Sequence, residues 1–168
     1  MKLEKKERDI FEGKYGLGLQ TCMEILFAVG ECYGAERMVP VTSVHIAGNY
    51  AVMGAEGIEW LEELAQNEAR VKVFTTKNPE MFDLEDWEEF NIPKDLVEKQ
   101  RRIDGALRTL GVTLTYSCHH YLVGNVPRFG DHISWASSGS GAFANSIIGA
   151  RSNRDGDHTV IAAAVTGV

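Results

Sequence analysis

A cysteine and two histidines stand side by side at positions 118–120, in the stretch SCHHYLVGNVPRFGDH (117–132). Thiolate and imidazole groups bind soft metals and carry protons. The stretch ends an apolar run and leads into a loop that contains glycine and proline. These residue types leave four interpretations: a zinc site, a metal-cluster site, a cysteine nucleophile with its base, or a crowded strand end.

Two of these interpretations have little support from the spacing. Cys118, His119, His120 and His132 offer enough ligands for zinc, but consecutive side chains of an extended segment point to opposite sides, and the spacing matches no common zinc pattern. His119 would lower the pKa of the Cys118 thiol if the imidazole faced the sulfur. Catalytic groups meet in space, however, so adjacency in sequence says little about such a pair.

Two later motifs could bind anions. GSGAFA (139–144) matches the GxGxxA pattern of dinucleotide sites, but only a short ISW segment precedes it and too little chain follows. Its N–H groups could bind an anion at a helix N-terminus, or Ser137 or Ser138 could simply cap that helix. The second motif, GARSNRDG (149–156), places two guanidinium groups and an amide in one turn, where they could bind a carboxylate or phosphate. Alternatively, its arginines only stabilise a helix end.

The elements around these residues alternate between helix and strand. Apolar periodicity predicts helices within 17–33 and 58–65 and from Pro93 to a cap at Gly111, and β-rich runs predict strands within 38–47, 71–76 and 112–117. This alternation predicts an α/β fold with a largely parallel sheet and helices on both faces. Ligands bind such sheets at the carboxyl ends of the strands, which is where the third strand would deliver Cys118.

Other segments suggest structural roles. Cys22 and Cys32 are predicted to be small core residues on different faces of one helix, which argues against a shared metal site. The acidic residues between 83 and 89 predict a solvated surface. The last ten residues, TVIAAAVTGV, predict a buried strand that stops at the chain end. The chain is therefore expected to be truncated at its C-terminus, or to be completed by another polypeptide.

Composition sets the protein class. A length of 168 residues with 44% hydrophobic and 24% charged residues predicts a single domain over 1–168. The net charge of −7 argues against nucleic-acid and anionic membrane partners. The N-terminus lacks the apolar core of a signal peptide, and no apolar stretch has the length of a bilayer span. Three cysteines without a signal indicate a reducing compartment, so a cytoplasmic location is expected.

Seven segments together resemble one family, aconitase X, which includes the large subunit of phosphomevalonate dehydratase and cis-3-hydroxy-L-proline dehydratase. The resemblance covers nearly the whole chain but only the N-terminal part of the family's large subunit. The matching segments are AEGIEWL (55–61), VFTTKNP (73–79), IPKDLVEKQ (92–100), Cys118-x-x-Tyr121, GNVPRFGDHISW (124–135), FANSIIGARSNRDG (143–156) and AAAVTG (162–167).

The resemblance implies an aconitase-like fold and a hydro-lyase that uses an iron–sulfur cluster held by three cysteines, 4Fe–4S in preference to 2Fe–2S. A vacant iron position would act as a Lewis acid on the leaving hydroxyl. Cys118 falls on the first cluster cysteine, and the other two would lie in a C-terminal large-subunit segment. The cluster is therefore incomplete in this chain alone. A small swivelling domain, fused or separate, is expected to supply a catalytic serine.

The same resemblance implies the reaction and its site. Water would leave a small anionic hydroxy acid such as phosphomevalonate, in the mevalonate pathway, while a base from a partner segment takes the α-proton. Arg151, Asn153 and Arg154 are expected to bind the anionic substrate. Further residues expected to line the pocket are Asn125, Asp131, His132, Ser138 and Asn145.

The chain also departs from the family's pattern. His119 and His120 stand where the family usually has Thr-Pro, residues 135–139 read WASSG instead of Trp-Ser-Glu-Ser-Ser, and residues 156–158 (GDH) replace Gly-Gly-Pro-Ser. These departures leave a second interpretation: a divergent or non-catalytic α/β subunit that binds a partner or a small anion.

Overall fold

A parallel three-stranded sheet forms the centre of the protein in a computed structural model that describes residues 1–168. The strands are β1 (Ser43–Ile46), β2 (Phe74–Lys77) and β3 (Ser134–Trp135), in the order β2-β1-β3. His45 lies opposite Thr76 on one side and Trp135 on the other. Single parallel bridges, Thr76 to Thr113 and His132 to Arg151, widen the sheet by one segment at each edge.

Six α-helices and two short helical turns surround this sheet. They are α1 (Lys5–Phe11), α2 (Leu17–Cys32), α3 (Tyr50–Gln66), α4 (Lys94–Leu110), a 3₁₀ turn (His120–Leu122), α5 (Ser138–Phe143), a π-helical turn (Ala144–Ile148) and α6 (Asp157–Thr166). None of the helices combines the length and the apolarity that a bilayer span requires.

The two faces of the sheet bury different kinds of side chain. Val44 and Ile46 point into the main core, where α6 packs on β1 and α2 packs on α6. His45 and Trp135 point to the opposite face, which is covered by the 3₁₀ turn and by a small apolar cluster containing Ala144. The predicted α/β fold with a parallel sheet and helices on both faces is confirmed.

Local signals explain where several elements begin and end. The side chain of Asn49 accepts a hydrogen bond from the amide of Val52 (3.3 Å) at the start of α3. Gly54 interrupts α3 with a φ of 69°, which few other residues would adopt. Gly111 ends α4 in the left-handed conformation (φ 94°), so the predicted cap is confirmed.

The predicted strand over 112–117 is wrong. Only Thr113 pairs with the sheet, and the amide of Thr115 then bonds back to the carbonyl of Thr113. Tyr116 has a φ of 47°, in the left-handed region, which turns the chain away from an extended path. The segment runs parallel to β2 at Thr113 and therefore leads towards the carboxyl edge of the sheet. It then reaches that edge as a turn and not as a strand.

Two further predictions need correction. The final apolar run is not a strand, because residues 157–166 form α6. This helix is buried on all sides between β1, α2 and α3, so its sequence lacks the polar stripe that would have revealed a helical period. Cys22 is buried as predicted, but Cys32 is exposed at the end of α2. The two thiols do lie on different faces.

Candidate functional site

The carboxyl end of β2 determines where Cys118 lies. The carbonyl of Lys77, the last residue of β2, accepts hydrogen bonds from Thr115 Oγ1 (2.9 Å) and from the amide of Ser117 (3.4 Å). Cys118 follows immediately and its side chain is exposed. An exposed thiol at this edge is accessible to a metal or to another polypeptide.

The chain by itself does not offer a complete metal site. No three Cys, His, Asp or Glu side chains meet in a metal-binding arrangement. Cys22 is buried, and burial raises the pKa of its thiol to about 12, so it stays protonated near neutral pH. Cys32 is exposed at the end of α2. The residues therefore fit an iron–sulfur cluster only as the source of one ligand, Cys118.

Next to Cys118 lies an ionic cluster of three buried charged side chains and one partly exposed tyrosine, which we call the Lys77 cluster: Lys77, Glu80, Asp104 and Tyr116. The Nζ of Lys77 lies 2.6 Å from Oε1 of Glu80 and 3.5 Å from Oδ1 of Asp104, and the lysine side chain is fully buried. The ammonium also lies 5.2 Å from the centre of the Tyr116 ring. One cation thus faces two carboxyl groups in a region shielded from water.

The hydrogen bonds of the Lys77 cluster reach the turn that precedes Cys118. Tyr116 donates its hydroxyl to Oδ2 of Asp104 (2.9 Å). Burial and the nearby Asp104 raise the pKa of Glu80 to about 7, and burial raises the pKa of Tyr116 to about 12. Because Tyr116 lies two residues before Cys118, the cluster fixes the backbone from which the thiol projects.

Gln100 links the Lys77 cluster to the end of β1. Its Nε2 donates to Oδ1 of Asp104 (3.2 Å) and to the carbonyl of Gly48 (3.1 Å). The amides of Ala47 and Gly48 in turn donate to the two carboxylate oxygens of Asp157, at 2.8 and 2.7 Å. Asp157 begins α6, so these bonds hold the helix start against the carboxyl end of β1.

A pair of stacked imidazoles lies on the second face of the sheet. The rings of His45 and His120 are 3.4 Å apart at 20°, and Trp135 contacts His120 edge-on at 4.2 Å. Burial lowers the pKa of His45 to about 4 and that of His120 to about 3, so both rings are neutral near pH 7. Neither ring nitrogen of His120 has a hydrogen-bond partner.

The partners of His45 indicate its tautomer. Asn125 donates to Thr76 Oγ1 (2.8 Å), so the Thr76 hydroxyl is free to donate to Nδ1 of His45 (2.8 Å). Nε2 of His45 then donates to Oδ1 of Asn78 (2.7 Å). Asn125 also donates to the carbonyl of Val44 (3.0 Å) and is itself buried. It therefore anchors the segment after Cys118 to β1 and β2.

Three of the predicted substrate-binding residues meet at the amino end of β3. Arg151 Nη1 lies 3.4 Å from Nε2 of His132 and donates to the carbonyl of Gly130 (3.1 Å). Asp131 accepts from the amide of Arg128 (2.8 Å) and from the Thr42 hydroxyl. Arg151 and His132 line an open cavity of about 390 Å³, between α2 and α6.

The remaining predicted site residues lie in the turn that follows Arg151 or in the helical segment before it. Asn153 also lines this cavity, and Arg154 (φ 59°) lines an adjoining one. Asn145 exchanges two hydrogen bonds with the backbone of Ser152, 2.9 and 3.1 Å, and so fixes the arginine turn. Ser138 is exposed as the first residue of α5, and neither it nor Ser137 caps that helix through its side chain.

The sheet separates these groups. Arg151 and His132 lie at the amino end of β3, whereas Cys118 lies beyond the carboxyl end of β2, so they occupy opposite edges. Residues 151–152 run parallel to β3, and the amide of Trp135 donates to Ser152 Oγ (3.1 Å), which places Arg154 nearer to the carboxyl edge.

The sequence reading missed the Lys77 cluster. Lys77 and Glu80 are three residues apart, but Asp104 and Tyr116 are distant in the chain and join them only when α4 packs beside β2. One signal was present in the sequence, because Gln100 and Asp104 lie four residues apart on the otherwise apolar face of α4. Two polar residues on a buried helical face require buried partners.

Comparison with known proteins identifies the family. The family model described as "Aconitase X first domain" matches residues 1–168. The phosphomevalonate dehydratase large subunit of Methanocaldococcus jannaschii is 42% identical over 168 residues, which is 99% of this chain and 42% of that protein. The cis-3-hydroxy-L-proline dehydratase of Pseudomonas aeruginosa is 31% identical over 166 residues, 99% of this chain and 28% of the relative.

A solved structure gives the same result. The holo-form crystal structure of Thermococcus kodakaraensis aconitase X superposes with a TM-score of 0.88 at 40% identity, over 99% of this chain and 41% of that one. The chain thus spans about two fifths of the length of the phosphomevalonate dehydratase large subunits that it matches. Because the family model matches every residue and the fold agrees, the chain belongs to the aconitase X family.

Proposed function

We propose that this chain is one part of a dehydratase, a hydro-lyase that removes water from a small anionic hydroxy acid. The observation that carries the proposal is the 42% identity, over all 168 residues, with a phosphomevalonate dehydratase large subunit. Identity with the hydroxyproline dehydratases is lower, 31% and 28%. Phosphomevalonate is therefore the first candidate substrate, and the mevalonate pathway the first candidate context.

Cys118 is the proposed metal ligand. Its support is the position beyond the carboxyl end of β2, where the thiol is exposed and the preceding turn is fixed by the Lys77 cluster. Bound there, an iron–sulfur cluster, 4Fe–4S in preference to 2Fe–2S, would supply a Lewis acid for the leaving hydroxyl. The remaining ligands would come from polypeptide beyond this chain.

The arginine turn is the proposed anion-binding element. Arg151, Asn153 and Arg154 are all exposed, so their donors are available to a phosphate or carboxylate. Arg154 lies closest to the carboxyl edge and is proposed to make the main contact with the substrate anion. Five residues stay as proposed pocket residues with lesser roles: Asn125, Asp131, His132, Ser138 and Asn145.

Further subunits belong to the proposal. The phosphomevalonate relatives are named large subunits, which implies a small-subunit partner. We propose that such a subunit, a swivelling domain, supplies the catalytic serine and that a further large-subunit segment supplies the base. A cytoplasmic location is part of the same proposal.

The alternative, a non-catalytic α/β subunit that binds a partner or small anion, has one specific observation in its favour. After β3 the chain continues with Ala136, whose amide bonds to the carbonyl of His45 (2.8 Å) and whose methyl group brings no polar atom to the edge. A dehydratase site at this edge would have to obtain its acid–base groups from other segments.

An activity assay separates the two functions. The chain is co-expressed anaerobically with the rest of the large subunit and the small subunit of the Methanocaldococcus jannaschii enzyme, then supplied with iron and sulfide. Incubation with phosphomevalonate should give a product lighter by one water, detected by mass spectrometry, and cis-3-hydroxy-L-proline should react more slowly. An assembled complex that binds iron but releases water from neither substrate would favour the non-catalytic subunit.

A further inference from the structure

Exposed apolar side chains accumulate in the segment that follows Cys118. Four of the thirteen exposed large apolar residues of the protein fall within positions 122–129. Phe129 is 86% exposed and Leu122 is 76% exposed, although Leu and Phe are among the residue types most often buried. With Ile147, 72% exposed, they form what we call the apolar patch: Leu122, Val123, Val126, Phe129 and Ile147.

Two adjoining segments carry the apolar patch. The rings of Tyr121 and Phe143 stack with centres 4.0 Å apart at one end. At the other end the Phe129 ring covers Gly149 so closely that a Cβ there would lie 2.7 Å from Cδ2 of the ring. The amide of Gly130 also donates to the carbonyl of Gly149 (3.0 Å). Contacts at both ends thus join residues 121–130 to residues 143–149, and Tyr121 and Ile148 pack on the small apolar cluster that contains Trp135.

The charge of this segment differs from that of the whole chain. Positions 118–129 contain one charged side chain, Arg128, whereas the chain carries a net charge of −7. Soluble proteins rarely leave clustered apolar side chains in water, because each buried Å² of apolar surface contributes about 25 cal/mol. An apolar patch with only one charged side chain in its segment is typical of the core of a protein interface.

We infer that the apolar patch is the surface on which the rest of a large subunit docks, bringing the missing cluster cysteines to Cys118. The inference rests on the proposed function. The match covers only 42% of the Methanocaldococcus jannaschii relative, so that protein contains further polypeptide that is available to cover such a surface. The patch begins four residues after Cys118, so a segment that covers it reaches the thiol without a long connection.

Co-purification tests the docking surface. The chain is co-expressed with the part of Thermococcus kodakaraensis aconitase X that it does not match, and a tag on that part is used for purification. Co-expression lets the two parts fold together. The chain should be recovered with the tagged part, and Leu122→Asp or Phe129→Asp should lower recovery about tenfold or more, because a buried charge is left unpaired. Tyr33→Asp, at a side chain that is 83% exposed elsewhere, should leave recovery unchanged.

A second variant separates docking from chemistry. Cys118→Ser should be recovered as well as the unaltered chain while the complex loses its iron. Recovery of Leu122→Asp and Phe129→Asp equal to that of the unaltered chain, or no recovery of the unaltered chain, would overturn the docking surface. Sedimentation of the chain alone gives a further check. A dimer that is lost in Phe129→Asp would show that the patch binds a second copy of this chain instead. Loss of dehydration with docking intact would count against the proposed function alone.

Discussion

At the scale of single residues, the buried ammonium of Lys77 requires oppositely charged partners, which Glu80 and Asp104 supply. Replacing it in Lys77→Met leaves Glu80 and Asp104 buried without a cation, which should lower the free energy of unfolding by about 3–5 kcal/mol. Lys94→Met removes an exposed partner of Glu98 and should change stability by less than about 0.5 kcal/mol. Urea unfolding measures both, and equal effects would contradict the role given to Lys77.

Glu80 should make stability depend on pH. Its pKa is raised to about 7, so the folded state binds a proton more tightly than the unfolded state, where the value is near 4.5. Its contribution to stability is therefore full below about pH 4.5 and is lost as pH rises through 7. Glu80→Gln should gain stability relative to the unaltered chain between pH 5 and pH 8. Urea unfolding of Glu80→Gln and of the exposed control Glu98→Gln checks this. If the free energy of unfolding of both variants, relative to the unaltered chain, changes with pH in the same way, the result would argue against a buried Glu80.

At the scale of elements, Asn125 should hold the segment after Cys118 in place. Asn125→Ala removes the hydrogen bonds to Val44 and Thr76, so it should cost about 1–3 kcal/mol and loosen residues 118–130. Hydrogen exchange followed by mass spectrometry should show faster exchange in that segment. Asn67→Ala, which removes an exposed bond to Glu63, is the matched control, and unchanged exchange in the Asn125 variant would contradict the anchoring.

The elements also show what the sequence could predict. The spans of α2 and α4, the cap at Gly111 and the two longer strands follow from periodicity and turn chemistry, which act over a few residues. The 112–117 strand prediction failed because only Thr113 pairs with β2 and Tyr116, whose hydroxyl is bonded to Asp104 twelve residues away, has a positive φ. The α6 helix was missed because a helix buried on all sides has no polar face. Local pattern does not encode either fact.

The same limit applies to the candidate site. The sequence located Cys118 and the arginine turn, because residue types and a family resemblance point to them. It could not show that Arg151 and Cys118 lie at opposite edges of the sheet, since that separation follows from strand order. Likewise no feature of the sequence indicated that Lys77 is buried, because Asp104 reaches it only through the packing of α4.

At the scale of the whole molecule, the central claim is that Cys118 brings one ligand to a cluster that other polypeptide completes. The most direct test is the iron content of the assembled complex, made with the unaltered chain, with Cys118→Ser and with Cys32→Ser. We expect Cys118→Ser to lose nearly all bound iron and the visible absorbance, and Cys32→Ser, at the other exposed thiol, to keep both. Equal iron in the two variants would contradict the account.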